Sequence, residues 1–211
     1  MAWSSASGEM GGTTFRRPAL GIEIIAIGSS TGGPIALVQL FKSLSGRINT
    51  PIVLTQHIPK NFTSDLANSL SDALGSKVMA AEEGMVLQRG HCYLAPGGRH
   101  LLIQKRGAEA VCVLDNGEVE NFCKPSADPM LRSVALAYRS RALAVILTGM
   151  GKDGLEGCKA IKASGGTILA QDEATSAVWG MPRAVAEAGL CKNVVPIERM
   201  GDAILRVIQE A

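Results

Sequence analysis

Residues 22–44, with the sequence IEIIAIGSSTGGPIALVQLFKSL, contain the pattern from which the fold can be inferred. Residues 22–27 form a short segment that is almost entirely apolar, which predicts a buried β-strand. Residues 28–33 form a glycine-rich turn, and Pro34 suits the first turn of a helix because an N–H is not needed there. The buried face of that helix is predicted from apolar residues at helical spacing, namely Ile35, Val38, Phe41 and Leu44.

The same order of strand and helix recurs along the chain. Apolar strands are predicted at residues 51–56, 143–147, 167–170 and near Val194. Helices are predicted at residues 63–74, 128–138 and 155–163, from about Pro182, and at residues 198–209. Continuous apolar strands that alternate with helices predict an α/β fold with a doubly wound, mostly parallel, Rossmann-like sheet covered on both faces.

Two regions depart from this alternation. Residues 91–95 and 99–103 flank Pro96-Gly97-Gly98 and predict an antiparallel hairpin added to the sheet, with a further strand at residues 110–114. Residues 1–20 are rich in Ser, Gly and Thr without a period, which predicts a flexible linker or tail. The domain is therefore expected to comprise residues 21–211.

Composition and charge exclude several classes of protein. The chain has 211 residues, 46% of them apolar, and a formal net charge of +2. Because it lacks a Lys/Arg run, a nucleic-acid partner is not expected. It also lacks a long apolar run and a basic-then-apolar N-terminus, so neither membrane insertion nor a signal peptide is predicted. The five cysteines include no C-x-x-C pair, which predicts small buried side chains in a reducing compartment.

The turn at residues 28–33 is compatible with three kinds of site. A phosphate-binding P-loop is rejected because Pro34 stands where the loop needs lysine. A dinucleotide fingerprint is disfavoured because Ser30 replaces its second glycine and residues 51–56 contain no acid. The segment Gly28-Ser29-Ser30-Thr31-Gly32 matches the G-x-S-x-G nucleophile elbow, in which a sharp turn exposes a serine. The plainer alternative is that Ser30 and Thr31 only cap the following helix.

A serine nucleophile needs a base and an acid that orients it. His57 follows the second strand and Asp153 lies beyond residues 143–147, so both are expected with Ser30 at the carboxyl edge of the sheet. Asp153 could instead be a helix N-cap. The backbone amides of Met150 and Gly151 are candidate oxyanion donors. Asp172 and Glu173, which also follow a strand, are alternative candidates for the acid. The other two histidines, His91 and His100, are interpreted as structural.

Five segments together resemble the catalytic domain of the bacterial chemotaxis protein-glutamate methylesterases, the CheB family. They are IGSSTGG (27–33), TQHIP (55–59) with Phe62 beyond it, LAPGGRH (94–100), ILTGMGKDG (146–154) and AQDEATSAVWGMPR (170–183). The resemblance implies a Rossmann-like sheet with an antiparallel hairpin. It also implies hydrolysis of glutamate γ-methyl esters on cytoplasmic chemoreceptor helices, with release of methanol, and deamidation of receptor glutamines.

The resemblance places the nucleophile at Ser30, the base at His57 and the acid at Asp153, and it implies neither a metal nor another cofactor. Met150, Gly151 and Thr31 become candidates for oxyanion stabilisation by the backbone. Candidate substrate-binding residues are Gly32, Gly33, Lys152 and Met181.

The family's usual N-terminal receiver domain, in cis or in trans, is an expected partner, and a cytoplasmic location is expected. Cys123 and Lys152 depart from the residues common in the family. Two alternatives stay open, a catalytically silent receptor-binding module and a general hydrolase of small esters.

Overall fold

β1 (Ile24–Ser29) lies at the centre of a seven-stranded parallel sheet, with β2 (Ile52–Gln56) on one side and β7 (Ala142–Ile146) on the other. The structure is a computed structural model, and it describes residues 21–211. The predicted linker or tail at residues 1–20 lies outside the described residues. Every residue of these three strands is buried, because helices cover both faces of the sheet.

The strand order is β3-β4-β2-β1-β7-β8-β9. The chain therefore builds one half of the sheet outward from β1 and then crosses to β7 to build the other half. Such a reversal opens a crevice at the carboxyl ends of the two central strands, where ligands bind in this class of fold. The remaining strands of the sheet are β3 (Val78–Ala80), β4 (Cys92–Leu94), β8 (Thr167–Gln171) and β9 (Asn193–Val195).

Two apolar cores lie on opposite faces of the sheet. One contains α1 (Gly33–Leu44), α2 (Thr63–Leu74) and α6 (Ile197–Glu210). The other contains α3 (Ala127–Tyr138), α4 (Leu155–Ala163) and α5 (Met181–Glu187). Short 3₁₀ turns occupy Lys60–Phe62 and Arg139–Arg141. The predicted α/β class and its doubly wound parallel sheet are confirmed.

The antiparallel hairpin exists, but one of its two predicted strands was wrong: the predicted strand at residues 99–103 pairs with the further strand predicted at residues 110–114, and not with residues 91–95. β5 (His100–Arg106) pairs with β6 (Glu109–Asp115), whereas β4 belongs to the parallel sheet between β2 and β3. The segment Pro96-Gly97-Gly98 connects the two sheets. A Cβ on Gly97 would lie 2.5 Å from the Lys60 backbone, so this segment is glycine-rich because it packs closely against the loop after β2.

The buried face predicted for α1 was wrong at one position. Ile35 is 78% exposed, whereas Ala36, Leu37 and Leu40 carry the apolar stripe together with Phe41 and Leu44. Ile35 lies in the first turn of the helix, where the chain leaves the sheet edge and one side of the helix faces solvent. Among residues 21–211, no helix is both long and apolar enough to cross a membrane.

Candidate active site

Ser30 and His57 lie side by side at the carboxyl edge of the sheet. In the register of β1 and β2, the last residues, Ser29 and Gln56, lie opposite each other. The residues that follow them are Ser30 and His57. The His57 amide donates to the Ser29 carbonyl at 3.1 Å, which extends the pairing of the strands by one step. Strand register alone therefore places the predicted nucleophile beside the predicted base.

A buried amide that sequence reasoning missed joins these two strand ends. Gln56 Oε1 accepts a hydrogen bond from Ser29 Oγ at 2.7 Å. Its Nε2 donates to the carbonyl oxygens of Ser30 at 2.9 Å and His57 at 3.1 Å. A glutamine at the end of an apolar strand is the signal that could have found it, since a buried amide must be bonded at both its oxygen and its nitrogen.

His57 pairs with Asp153, as the sequence predicts. His57 Nε2 lies 2.6 Å from Asp153 Oδ2, and both side chains are largely withdrawn from solvent. Because an ionised carboxylate only accepts, Nε2 carries the proton and the neutral ring leaves Nδ1 as its acceptor. That nitrogen contacts Cys123 Sγ at 3.2 Å. In this arrangement Nδ1 is the atom that would accept a proton from Ser30.

Asp153 is surrounded by hydrogen-bond donors. Besides His57, its carboxylate accepts from Ser126 Oγ at 2.6 Å, from the Ala127 amide at 2.6 Å and from the Asp128 amide at 3.2 Å. The Gly154 amide and the Asn121 side chain add bonds of 3.0 Å each. Two of the donors are first-turn amides of α3, so Asp153 caps α3 and not α4, the helix that it precedes in the chain.

The ionisation of Asp153 is set by two opposing effects. Burial acts to raise the pKa of this carboxyl, but hydrogen bonds from His57, Ser126 and Ala127 more than offset burial and hold the pKa below its ordinary value. The carboxylate is therefore charged at neutral pH, as a group that orients and stabilises an imidazolium must be.

The loop after β7 brings backbone amides to the same place. A Cβ on Gly149 would lie 2.8 Å from Ser30 Cβ and would also clash with Met181 Sδ, so only glycine permits this approach. Within residues 21–211, the amides of Met150 and Gly151 have no hydrogen-bond acceptor, and the same is true of Thr31. Three unpaired N–H groups beside the half-buried Ser30 can stabilise negative charge on a substrate oxygen.

The four predicted substrate-binding residues occupy different environments. Lys152 is exposed beside the acid, and Gly32 is half-buried at the start of α1. Gly33 is buried, and it packs so closely against Gln56 that a Cβ there would clash with Oε1. Met181 is fully buried beneath Gly28 and Gly149, so it supports the two loops from below instead of facing the crevice.

The other polar candidates have local structural roles. Asp172 Oδ1 accepts from the Thr175 hydroxyl at 2.6 Å and the Thr175 amide at 3.1 Å, and it therefore stabilises its own loop. Glu173 is exposed. His100 is buried between the Ser126 amide and the Glu118 carbonyl. His91 Nδ1 lies 3.0 Å from the Arg89 carbonyl oxygen.

The cysteines are free thiols, and three of them, Cys92, Cys112 and Cys158, are buried as expected, whereas Cys123 and Cys191 are only half-buried. Burial raises the pKa of each of the three buried thiols, to about 12 for Cys112. Cys123 differs because it is half-buried and contacts His57. Burial, and then the charge of Asp153, raise the pKa of its thiol, so the group is a protonated S–H at neutral pH.

Three relatives are 46–47% identical to this chain. They are a protein-glutamate methylesterase/protein-glutamine glutaminase 1 from Paramagnetospirillum magneticum and proteins named protein-glutamate methylesterase/protein-glutamine glutaminase from Nitrobacter winogradskyi and Azospirillum brasilense. The identities are 47%, 47% and 46%, over 88%, 87% and 90% of this chain. The matches cover 49%, 43% and 48% of the relatives, so the chain spans about half their length.

A solved structure has the same architecture. The Thermotoga maritima CheB methylesterase catalytic domain superposes with a TM-score of 0.86 at 38% sequence identity, covering 88% of this chain and 98% of that one. The family model described as CheB methylesterase matches residues 25–204, which include all the site residues described above. The chain therefore belongs to the CheB methylesterase family.

Proposed function

We propose that this chain is a serine esterase that hydrolyses glutamate γ-methyl esters on the cytoplasmic helices of chemoreceptors. The observation that carries the proposal is the 2.6 Å contact between His57 Nε2 and Asp153 Oδ2, with Ser30 at the adjacent strand end. An oriented imidazole beside a serine at the sheet edge and unpaired amides is an arrangement suited to acyl transfer.

In the first half of the reaction, Ser30 Oγ attacks the γ-carbonyl carbon of the ester and His57 Nδ1 accepts the hydroxyl proton. Asp153 keeps the Nε2–H tautomer in place and stabilises the imidazolium that forms. The oxyanion is held by the amides of Met150 and Gly151, with Thr31 nearby. One such donor contributes about 3–4 kcal/mol to transition-state stabilisation.

In the second half, collapse of the intermediate breaks the ester C–O bond. The imidazolium returns its proton to the leaving oxygen, and methanol departs from an acyl-enzyme on Ser30. Water then attacks that acyl group with His57 as base, which regenerates Ser30 and yields glutamate. With a glutamine side chain, the same steps release ammonia, so deamidation needs no additional group.

The partners follow from this substrate. The expected partner is a receptor helix bearing the methyl ester, and the exposed Lys152 beside the site attracts acidic side chains on such a helix. A receiver domain, in cis or in trans, is the proposed regulator. A cytoplasmic site of action is supported by the substrate and by the free thiols.

The test is methanol release from methylated receptor by wild type and by Ser30→Ala. We expect Ser30→Ala to lose turnover while it still binds the receptor, and the exposed α2 variant Ser69→Ala to behave as wild type. Full activity of Ser30→Ala would refute the assignment. Receptor binding without turnover by wild type would favour the silent binding module, and faster turnover of small esters would favour a general esterase.

A further inference from the structure

The tight turn formed by residues 120–123 lies against both the acid and the base. The Cys123 amide donates to the Glu120 carbonyl at 2.9 Å. The two residues between them have positive φ angles, 51° at Asn121 and 62° at Phe122. Positive φ at both central positions defines a type I′ turn, which asparagine tolerates and phenylalanine does not favour. The turn is therefore held in a backbone conformation that its surroundings must stabilise.

Asn121 connects this turn to two carboxylates. Its Nδ2 lies 2.8 Å from Asp128 Oδ2 and 3.0 Å from Asp153 Oδ1. Because ionised carboxylates only accept, the NH₂ end of the amide must face them, with one proton directed at each. Asn121 thus uses both of its donors on charged groups.

Asn121 donates to both carboxylates, whose other partners differ. Asp128 is buried, and its other oxygen accepts from the Gly157 amide at 2.7 Å. The pKa of Asp128 lies above its ordinary value, because burial and repulsion from Asp153 raise it more than the bonds from Gly157 and Asn121 lower it. A neutral amide between two like charges offsets part of their repulsion without adding a net charge.

We propose that Asn121 is a positioning residue of the methylesterase reaction: together with the Ser126 hydroxyl and the amides of Asp128 and Gly154, it holds Asp153 Oδ1 and so leaves Oδ2 aimed at His57 Nε2. This inference rests on the proposed function. Asn121 acts through Asp153 and does not contact the substrate. The left-handed conformation at residue 121 fits this role, because it accompanies the bonds of the short amide to both carboxylates.

A purely structural role for Asn121 leads to different expectations. If only the turn matters, glycine and aspartate should both replace Asn121 well, since both are compatible with positive φ. If the donor matters, Asn121→Gly loses it while keeping a residue that adopts positive φ readily. Asn121→Asp should be worse, because it places a third carboxylate against the other two.

The experiment measures kcat and KM for methanol release from methylated receptor, together with thermal unfolding, for Asn121→Gly and Asn121→Asp. Arg139→Gly is the matched control, since Arg139 also has a positive φ, 53°, and lies at the opposite end of α3. For Asn121→Gly we expect kcat to fall about 10- to 100-fold with KM unchanged, which is the effect of losing a hydrogen bond to a charged group. For Asn121→Asp we expect a larger fall in kcat.

A spectroscopic readout makes the test independent of turnover. The low-field proton resonance of His57 Nε2–H, bonded to Asp153, should shift in both Asn121 variants and stay in place in Arg139→Gly. Wild-type kcat in Asn121→Gly, or activity of Asn121→Asp equal to that of Asn121→Gly, would overturn the inference. Failure of the proposed function is distinguishable, because wild type itself would then release no methanol.

Discussion

Cys123 occupies the position at which the base must receive a proton. The neutral His57 ring offers one acceptor, Nδ1, and the Cys123 thiol lies 3.2 Å from it. The thiol proton and the Ser30 hydroxyl proton therefore compete for a single lone pair. A thiol is a weak donor, so its hydrogen bond to Nδ1 is weak. That bond must still break before the Ser30 hydroxyl can donate to Nδ1 and the serine can attack.

Replacing Cys123 by alanine should therefore raise activity. Losing a weak hydrogen bond of about 0.5–1 kcal/mol to Nδ1 predicts an increase in kcat/KM of about two- to fivefold. The measurement is the rate of methanol release from methylated receptor. Cys123→Ser keeps a competing donor, so its activity should stay below that of Cys123→Ala. A fall in activity for Cys123→Ala would mean that the thiol orients the imidazole instead of competing for it.

At the scale of elements, the site depends on how strand ends and helix starts are connected. Gln56 joins the ends of β1 and β2, and Asp153 joins the loop after β7 to the start of α3. Both side chains are buried and bonded at more than one atom. Each is therefore costly to replace with an apolar residue, because its partners would be left unsatisfied inside the protein.

Gln56→Met tests the first of these connections. Methionine has a similar volume but cannot bond Ser29 Oγ or the carbonyl oxygens of Ser30 and His57. We expect the free energy of unfolding to fall by about 1–3 kcal/mol, with a loss of activity because the two strand ends separate. Urea unfolding measures the first effect. Gln39→Met, at an amide that bonds Glu198 on the protein surface, is the control and should change little. Equal effects of the two substitutions would contradict the role of Gln56.

At the scale of the whole molecule, the strands of the sheet are buried from solvent to different extents. β1, β2 and β7 are buried throughout, whereas Asn193 and Val194 in the edge strand β9 are exposed. A strand buried on both faces exchanges its amide protons only when the domain opens, while an exposed edge strand opens locally. Protection should therefore decrease from the centre of the sheet towards β9.

Hydrogen–deuterium exchange checks this gradient. Peptides that cover β1 and β7 should exchange last, at a rate set by the global free energy of unfolding, and peptides that cover β9 should exchange first among the strands. The β5–β6 hairpin is an internal comparison, because its far end at Lys105 and Arg106 is exposed whereas its base at His100 is buried. Uniform protection across the sheet would contradict the expectation.

The features predicted correctly from the sequence depend on local patterns. Apolar strands and helical spacing predicted α2 and α4 with their observed bounds. The rule that parallel strands end at one edge predicted the pairing of His57 with Asp153. One strand of the hairpin was predicted wrongly because β4 is three residues long, and whether such a segment joins one sheet or another depends on distant partners. β3 is equally short and was missed.

The rest of the site could not be predicted because it depends on contacts between distant segments. Ser126, Asn121 and Cys123 carry no spacing signal that relates them to residues 57 and 153. Their roles arise when the start of α3 and the preceding turn pack over the carboxyl edge of the sheet. A serine at a helix start resembles a cap for its own helix, whereas Ser126 donates to Asp153, which lies 27 residues away in the chain.

The six donors around Asp153 also have a consequence for the order of events during folding. They come from residues 57, 121, 126–128 and 154, so the carboxylate is fully bonded only after the sheet has formed and α3 has docked on it. Before that moment the acid is hydrated and cannot hold the imidazole. Esterase activity should thus be among the last properties to return on refolding, which makes turnover a more stringent indicator of completed folding than helix content.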